Sequence, residues 1–170
     1  MSIRQYRPRN NRRRGISANQ SMGLYFLFAL AIGLQISYPL VSGDALRYVT
    51  IFFVIAGALL MLVHSFLSYG FKYFAIFGSV TFIFSLLVEI LGSKTGWPFG
   101  TYSYADSLGF KVAGVPIIVP FAWIMMAHPV LIAARKTIPS WAFLYGGAGL
   151  MVWDLFLDPQ MVAAERWKWD

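Results

Sequence analysis

Three carboxylates carry the chemical potential of a chain that has few charges. Glu89 closes a long apolar run and opens onto a stretch of glycines and aromatics, EILGSKTGWPFGTYSY (Glu89 to Tyr104). Asp154 and Asp158 lie four residues apart in a second apolar run, VWDLFLDPQM (Val152 to Met161). Four residues make about one helical turn, so on a continuous helix both aspartates share a face. Carboxyl groups withdrawn from water favour the neutral acid, and two of them in one place do not both ionise cheaply. Such groups suit general-acid work, in which a proton is handed to a substrate near neutral pH. Each carboxylate also has a plainer alternative. Glu89 pairs with Lys94 at an interface. Asp158 is a turn residue before Pro159, which ends the helix there or earlier and leaves Asp154 alone. A third alternative treats Asp154 and Asp158 as a Mg²⁺ site for a diphosphate, since acidic pairs at this spacing share hard cations.

The aromatics around these acids narrow the chemistry. Trp97, Phe99, Tyr102 and Tyr104 crowd the stretch after Glu89, and Trp123 and Trp153 fall at the same level of later apolar segments. An interfacial aromatic belt explains part of this pattern. A loop of glycines and aromatics is also a poor solvated hairpin, so residues 93–111 are expected to fold back as a lid. The pocket beneath would suit an apolar substrate whose reacting end develops positive charge, because aromatic faces stabilise cations. Gly78, Thr81, Ser85, Glu89 and Gly92 recur at helical spacing, and such a small and polar stripe faces other helices rather than lipid. His128 precedes Pro129, and His64 shares a helical face with Ser68. Both histidines read first as polar contacts between helices, with His128 a further candidate for substrate binding.

These residues need elements to hold them, and composition says which. The chain has 170 residues, 58% hydrophobic and 12% charged, with mean hydropathy +0.63. A soluble domain carries about twice that charge. Five segments approach the roughly 20 apolar residues needed to cross a bilayer: residues 22–42, 48–70, 71–92, 112–134 and 137–157. The expected fold class is therefore all-α, a polytopic transmembrane helical bundle of about five spans. Cysteine is absent, which removes disulfides and thiol chemistry. Net charge is +7, and Arg4, Arg7, Arg9, Arg12, Arg13 and Arg14 crowd the first residues. Residues 1–20 thus read as a disordered basic tail, and the bilayer rather than nucleic acid is the partner expected for it. With this tail in the cytoplasm, Lys72, Arg135 and Lys136 join it there, against five basic residues outside, as the positive-inside rule requires. All seven acidic residues then lie in the outer half. A cell-membrane, multi-pass protein with a cytoplasmic N-terminus is the expectation.

EILGSKTGWPFGTYSY, GVPIIVPFAWIMMAHP (Gly114 to Pro129) and WDLFLDPQMVAAERWKW (Trp153 to Trp169) resemble the integral-membrane carotenoid biosynthesis proteins, a family that includes carotenoid 1,2-hydratases. The resemblance covers Glu89 to Asp170 well and the first two spans by hydropathy. It implies addition of water to the terminal C=C of an acyclic carotenoid, with no redox cofactor and no metal. A protonated Glu89, Asp154 or Asp158 would then deliver a proton, and Trp97, Tyr102 or Trp153 would hold the resulting cation. Relatives carry further spans beyond the ERWKW motif, so a second subunit completing the bundle, or a shortened chain, is expected here. Two rival functions stand beside the hydratase. One is Mg²⁺-dependent prenyl transfer. The other is a non-catalytic membrane subunit that binds a carotenoid or another isoprenoid lipid.

Overall fold

The computed structural model describes residues 15–97 and 100–169. Five helices make up the bundle: α1 (Ala18–Ser37), α2 (Gly43–Tyr69), α3 (Phe71–Thr95), α4 (Ile118–Thr137) and α5 (Ala142–Ala163). All five are long and apolar enough to cross a membrane. They run up and down, so one end of the bundle gathers the α1–α2 connection, the α3–α4 loop and the end of α5. This is called the loop end below, and the opposite end, at the tight α2–α3 connection, the turn end. The centre is built by α2 and α4, where Val54 and Ala58 pack against Ile124 and Met125. Gly57 is required at this crossing, because a Cβ there would run into the Met125 side chain. Large apolar side chains of α1, α3 and α5 point outward, among them Phe26, Phe84 and Phe156. In a bilayer these faces meet acyl chains, so their exposure costs nothing.

The helix bounds differ from the hydropathy segments for local reasons. α1 begins before Met22 because Ser17 and Gln20 form a reciprocal capping box, with each side chain accepting from the other's backbone N–H at 3.3 and 2.9 Å. The fourth span starts at Ile118 rather than near 112, because β2 (Lys111–Val112) and β3 (Val115–Pro116) form a small hairpin. Its two-residue turn, Ala113-Gly114, has φ of 51° and 96°, as a type I′ turn demands. The largest departure concerns Pro159, expected to stop the fifth helix at or before Asp158. The helix continues to Ala163. Pro159 removes the donor that the Leu155 carbonyl would have taken, and the helix carries on through Gln160, whose side chain donates to the Phe156 carbonyl at 3.1 Å. Membrane helices tolerate an interior proline of this kind. The helix closes in a Schellman motif, with Arg166 N–H bonded to Met161 O and Glu165 N–H to Val162 O, each at 2.9 Å. Glu165 takes the left-handed position, φ 55°, where glycine is usual.

The α3–α4 loop is folded rather than loose. β1 (Tyr102–Tyr104) pairs antiparallel with β4 (Trp167–Trp169), so the segment after α5 returns across the loop end. Tyr102 lies opposite Trp169, and Tyr104 opposite Trp167. The cross-strand rings touch, with centroids 5.2 and 5.8 Å apart, the unit of stabilisation in a two-stranded ribbon. Gly100 allows this closure. Its φ is 101°, and a Cβ would lie 3.1 Å from the Trp169 ring.

Candidate active site

Glu89 is held by a set of neutral donors. Tyr102 and Tyr104, two residues apart on one strand, project to the same side, and both hydroxyls donate to Glu89 Oε2, at 2.6 and 2.8 Å. From α4, the Trp123 indole N–H donates to Oε1 at 3.1 Å. The side chain belongs to a residue only 7% exposed. Lys94 is not its partner: the ion pairs among the described residues are Arg47–Asp44 and Lys111–Asp106. Burial of the Tyr102 phenol, together with its hydrogen bond to Glu89, raises its pKa well above the usual tyrosine range. Burial and the Glu89 charge act on Tyr104 in the same direction. Both phenols therefore keep their protons and remain donors at any physiological pH.

The two aspartates of α5 have separate environments, although the unbroken helix keeps them one turn apart. Asp158 is tied to the returning strand. Trp167 Nε1 donates to it at 2.6 Å, and Trp169 Nε1 lies 3.1 and 3.0 Å from its two oxygens. Asp154 has no hydrogen-bond partner among the described residues and is exposed on the helix surface. It nonetheless lies within electrostatic reach of Glu89 and Asp158, and of both tyrosine hydroxyls. Of the three carboxylates singled out, Glu89 thus has three donors, Asp158 is fixed by two indoles, and Asp154 is unengaged among the described residues.

Of the residues singled out in the sequence, Glu89, Tyr102, Tyr104 and Trp123 converge directly. Trp153 packs against the central core and lines an apolar cavity of about 100 Å³ between α1, α2, α4 and α5. The Tyr38 hydroxyl, on the wall of the same cavity, is buried without a partner among the described residues. Trp97 is 68% exposed and bonded through its backbone to Thr95. Phe99 lies outside the described residues. His128 is not part of the loop-end cluster. It is fully buried toward the turn end, where its Nε2 lies 2.9 Å from Nδ1 of His64. Ser68 Oγ is 3.2 Å from His64 Nε2, and Tyr73 Oη 3.4 Å from His128 Nδ1. Along α3, Tyr73 and Glu89 are roughly 24 Å apart at the helical rise. Trp167 and Trp169 were not anticipated as site residues. Their signal was the alternation in WKW and YSY, a period of two that marks facing strand residues.

A bundle of apolar helices with a buried carboxylate under an aromatic ribbon is the architecture of a polytopic membrane protein with a polar site at one end. Residues 49–170 match the family of carotenoid biosynthesis proteins, and the chain belongs to that family. It is similar to the bisanhydrobacterioruberin hydratase of Haloarcula japonica, at 32% identity over 95 residues. The match covers 52% of this chain and 32% of the relative, so the chain spans about a third of that protein. No solved structure matches it significantly.

Proposed function

We propose that the protein is a hydratase that adds water to the terminal C=C of an acyclic carotenoid, with Asp154 as the acid. The family and the hydratase relative support the reaction class. The observation that carries the residue assignment is the inequality of the carboxylates. Both oxygens of Glu89 are committed to donors, and Asp158 is held by indoles, whereas Asp154 is unengaged beside them. Asp154 gives its proton to C2 of the terminal alkene, whose π electrons form the new C–H bond and leave a tertiary cation at C1. Water attacks C1, and the oxonium returns its proton to the Asp154 carboxylate, yielding the tertiary alcohol and restoring the acid. Glu89 supplies a fixed negative charge that stabilises the cation, held in place by Tyr102, Tyr104 and Trp123. The same aromatic faces shield the cation from the wrong nucleophile and contribute directly to its stability.

Expression in a host that accumulates an acyclic carotenoid, followed by mass analysis of the pigments, tests this directly. The wild-type chain is expected to give product with one added water. Asp154→Asn and Glu89→Gln are expected to give none at equal membrane levels. Pigment that copurifies unchanged with the wild-type protein would instead favour a non-catalytic carrier.

A further inference from the structure

The C-terminal segment carries a cation whose position the hydratase chemistry does not use. Arg166 is only 6% exposed. Its one side-chain hydrogen bond among the described residues is from Nη1 to Ser107 Oγ, at 3.3 Å. Its Nε is buried with no partner among the described residues, and no carboxylate among them forms an ion pair with it. Burying a guanidinium without a counterion is strongly unfavourable, so a position like this implies an anion that is supplied from elsewhere.

The surroundings define that anion. Arg166 lines an open cavity of about 690 Å³, with Arg47, Asp44, Ala105, Ser107 and Glu165 on its walls. Arg47 contributes a second guanidinium, held over the Tyr48 ring at 4.7 Å and bonded to Asp44 at 3.3 Å. Asp44 is therefore engaged, and Glu165 is exposed at the rim. Arg166 itself is set by the Schellman closure of α5 and by its carbonyl, which accepts from Ala105 N–H at 2.9 Å. The cavity sits where α2 begins and α5 ends, the level at which a spanning helix leaves the hydrocarbon for the headgroup layer. Guanidinium groups with a hydroxyl beside them match the planar, multiply accepting oxygens of a phosphate.

We propose that Arg166, Ser107 and Arg47 form a site for the phosphate of a membrane phospholipid headgroup. The lipid would clamp the C-terminal segment to the start of α2, and with it the ribbon that covers Glu89. This rests on the geometry of Arg166 and not on the hydratase reading, and its readout is binding rather than turnover.

The test uses the full chain, purified in detergent and stripped of lipid. Thermal unfolding is followed on addition of phosphatidylglycerol, of diacylglycerol with the same acyl chains, or of inorganic phosphate. Phosphatidylglycerol should raise Tm by several degrees, and diacylglycerol should not. Arg166→Gln should weaken the lipid effect roughly ten- to hundredfold in concentration, the size of one lost charge-assisted contact, and Lys168→Gln should leave it unchanged. If Arg166→Gln does not fold, Arg47→Gln and Ser107→Ala, from other elements of the same wall, should weaken the effect in the same direction. Equal stabilisation by inorganic phosphate would overturn the lipid as occupant and leave a soluble phosphate. Equal stabilisation by diacylglycerol, or a wild-type response in both Arg166→Gln and Arg47→Gln, would overturn the site.

Discussion

Two polar clusters are buried in this bundle, and they are built on opposite plans. At the loop end, Glu89 accepts from three neutral donors that come from a strand and a helix, with two further carboxylates one element away. At the turn end, Ser68, His64, His128 and Tyr73 make a chain linking three helices. A single hydrogen lies between the two facing imidazole nitrogens, so the tautomers of the pair are correlated and the chain runs one way or the other as a unit. No carboxylate among the described residues bonds to it. The histidine chain consumes its own donors and acceptors internally, as interhelical polar contacts do. Beside Glu89 and Asp158, Asp154 has no hydrogen-bond partner among the described residues. The difference is that the histidine chain closes on itself, whereas the three carboxylates are unequal, two of them fixed and one unengaged among the described residues.

Substitutions at the two ends should therefore fail in different ways. The largest effect is expected for Asp154→Asn, which should lower hydration per folded molecule by about 10²- to 10⁴-fold, the usual contribution of a general acid, enough to take the alcohol below detection in the pigment analysis, with Tm little changed. Quantified alcohol product against membrane-inserted protein checks it. His128→Ala should do the reverse. It should cost about 1–3 kcal/mol by orphaning His64 and Tyr73, seen as a lower Tm in detergent, while the rate per folded molecule stays near that of wild type. A smaller effect appears with pH. Tyr102 and Tyr104 have folded pKa values above their unfolded values. Their contribution is thus full below the unfolded value of about 10 and is lost as pH rises beyond it. Limited proteolysis of the ribbon should accelerate from about pH 10 upward, and the double change Tyr102→Phe, Tyr104→Phe should remove that dependence. The smallest effect belongs to Asp158→Asn, which should loosen the Trp167–Trp169 strand by about 1 kcal/mol, read as earlier cleavage of the C-terminal segment.

Much of this was legible beforehand, for identifiable reasons. Helix α2 and helix α3 were visible because a bilayer demands long apolar runs, and the Gly70 break between them is sharp. Glu89 stood out because a carboxylate on a small and polar helical stripe has no reason to face lipid. Its partners Tyr102, Tyr104 and Trp123 were named as lining residues, but not as its donors. Hydrogen bonds between an α3 side chain, a loop strand and α4 depend on how the loop folds back, which spacing along one chain does not encode. The same limit hid the strand pairing of Tyr102–Tyr104 with Trp167–Trp169, since the two segments are far apart in sequence. Pro159 misled because the rule for residues preceding proline is a steric bias, and membrane helices tolerate an interior proline. His128 misled as a lining residue because its depth within α4 points it at His64 rather than at the loop end.

The decisive measurement is hydration of an acyclic carotenoid in heavy water, with wild-type protein and Asp154→Asn compared at equal folded amounts. A carboxyl group that hands its proton to the alkene predicts one non-exchangeable deuterium on the carbon beside the new alcohol in the wild-type product, and no labelled product from Asp154→Asn. Labelled alcohol formed equally by both proteins would contradict the assignment of Asp154 as the acid, and alcohol formed without carbon-bound deuterium would contradict protonation of the alkene altogether.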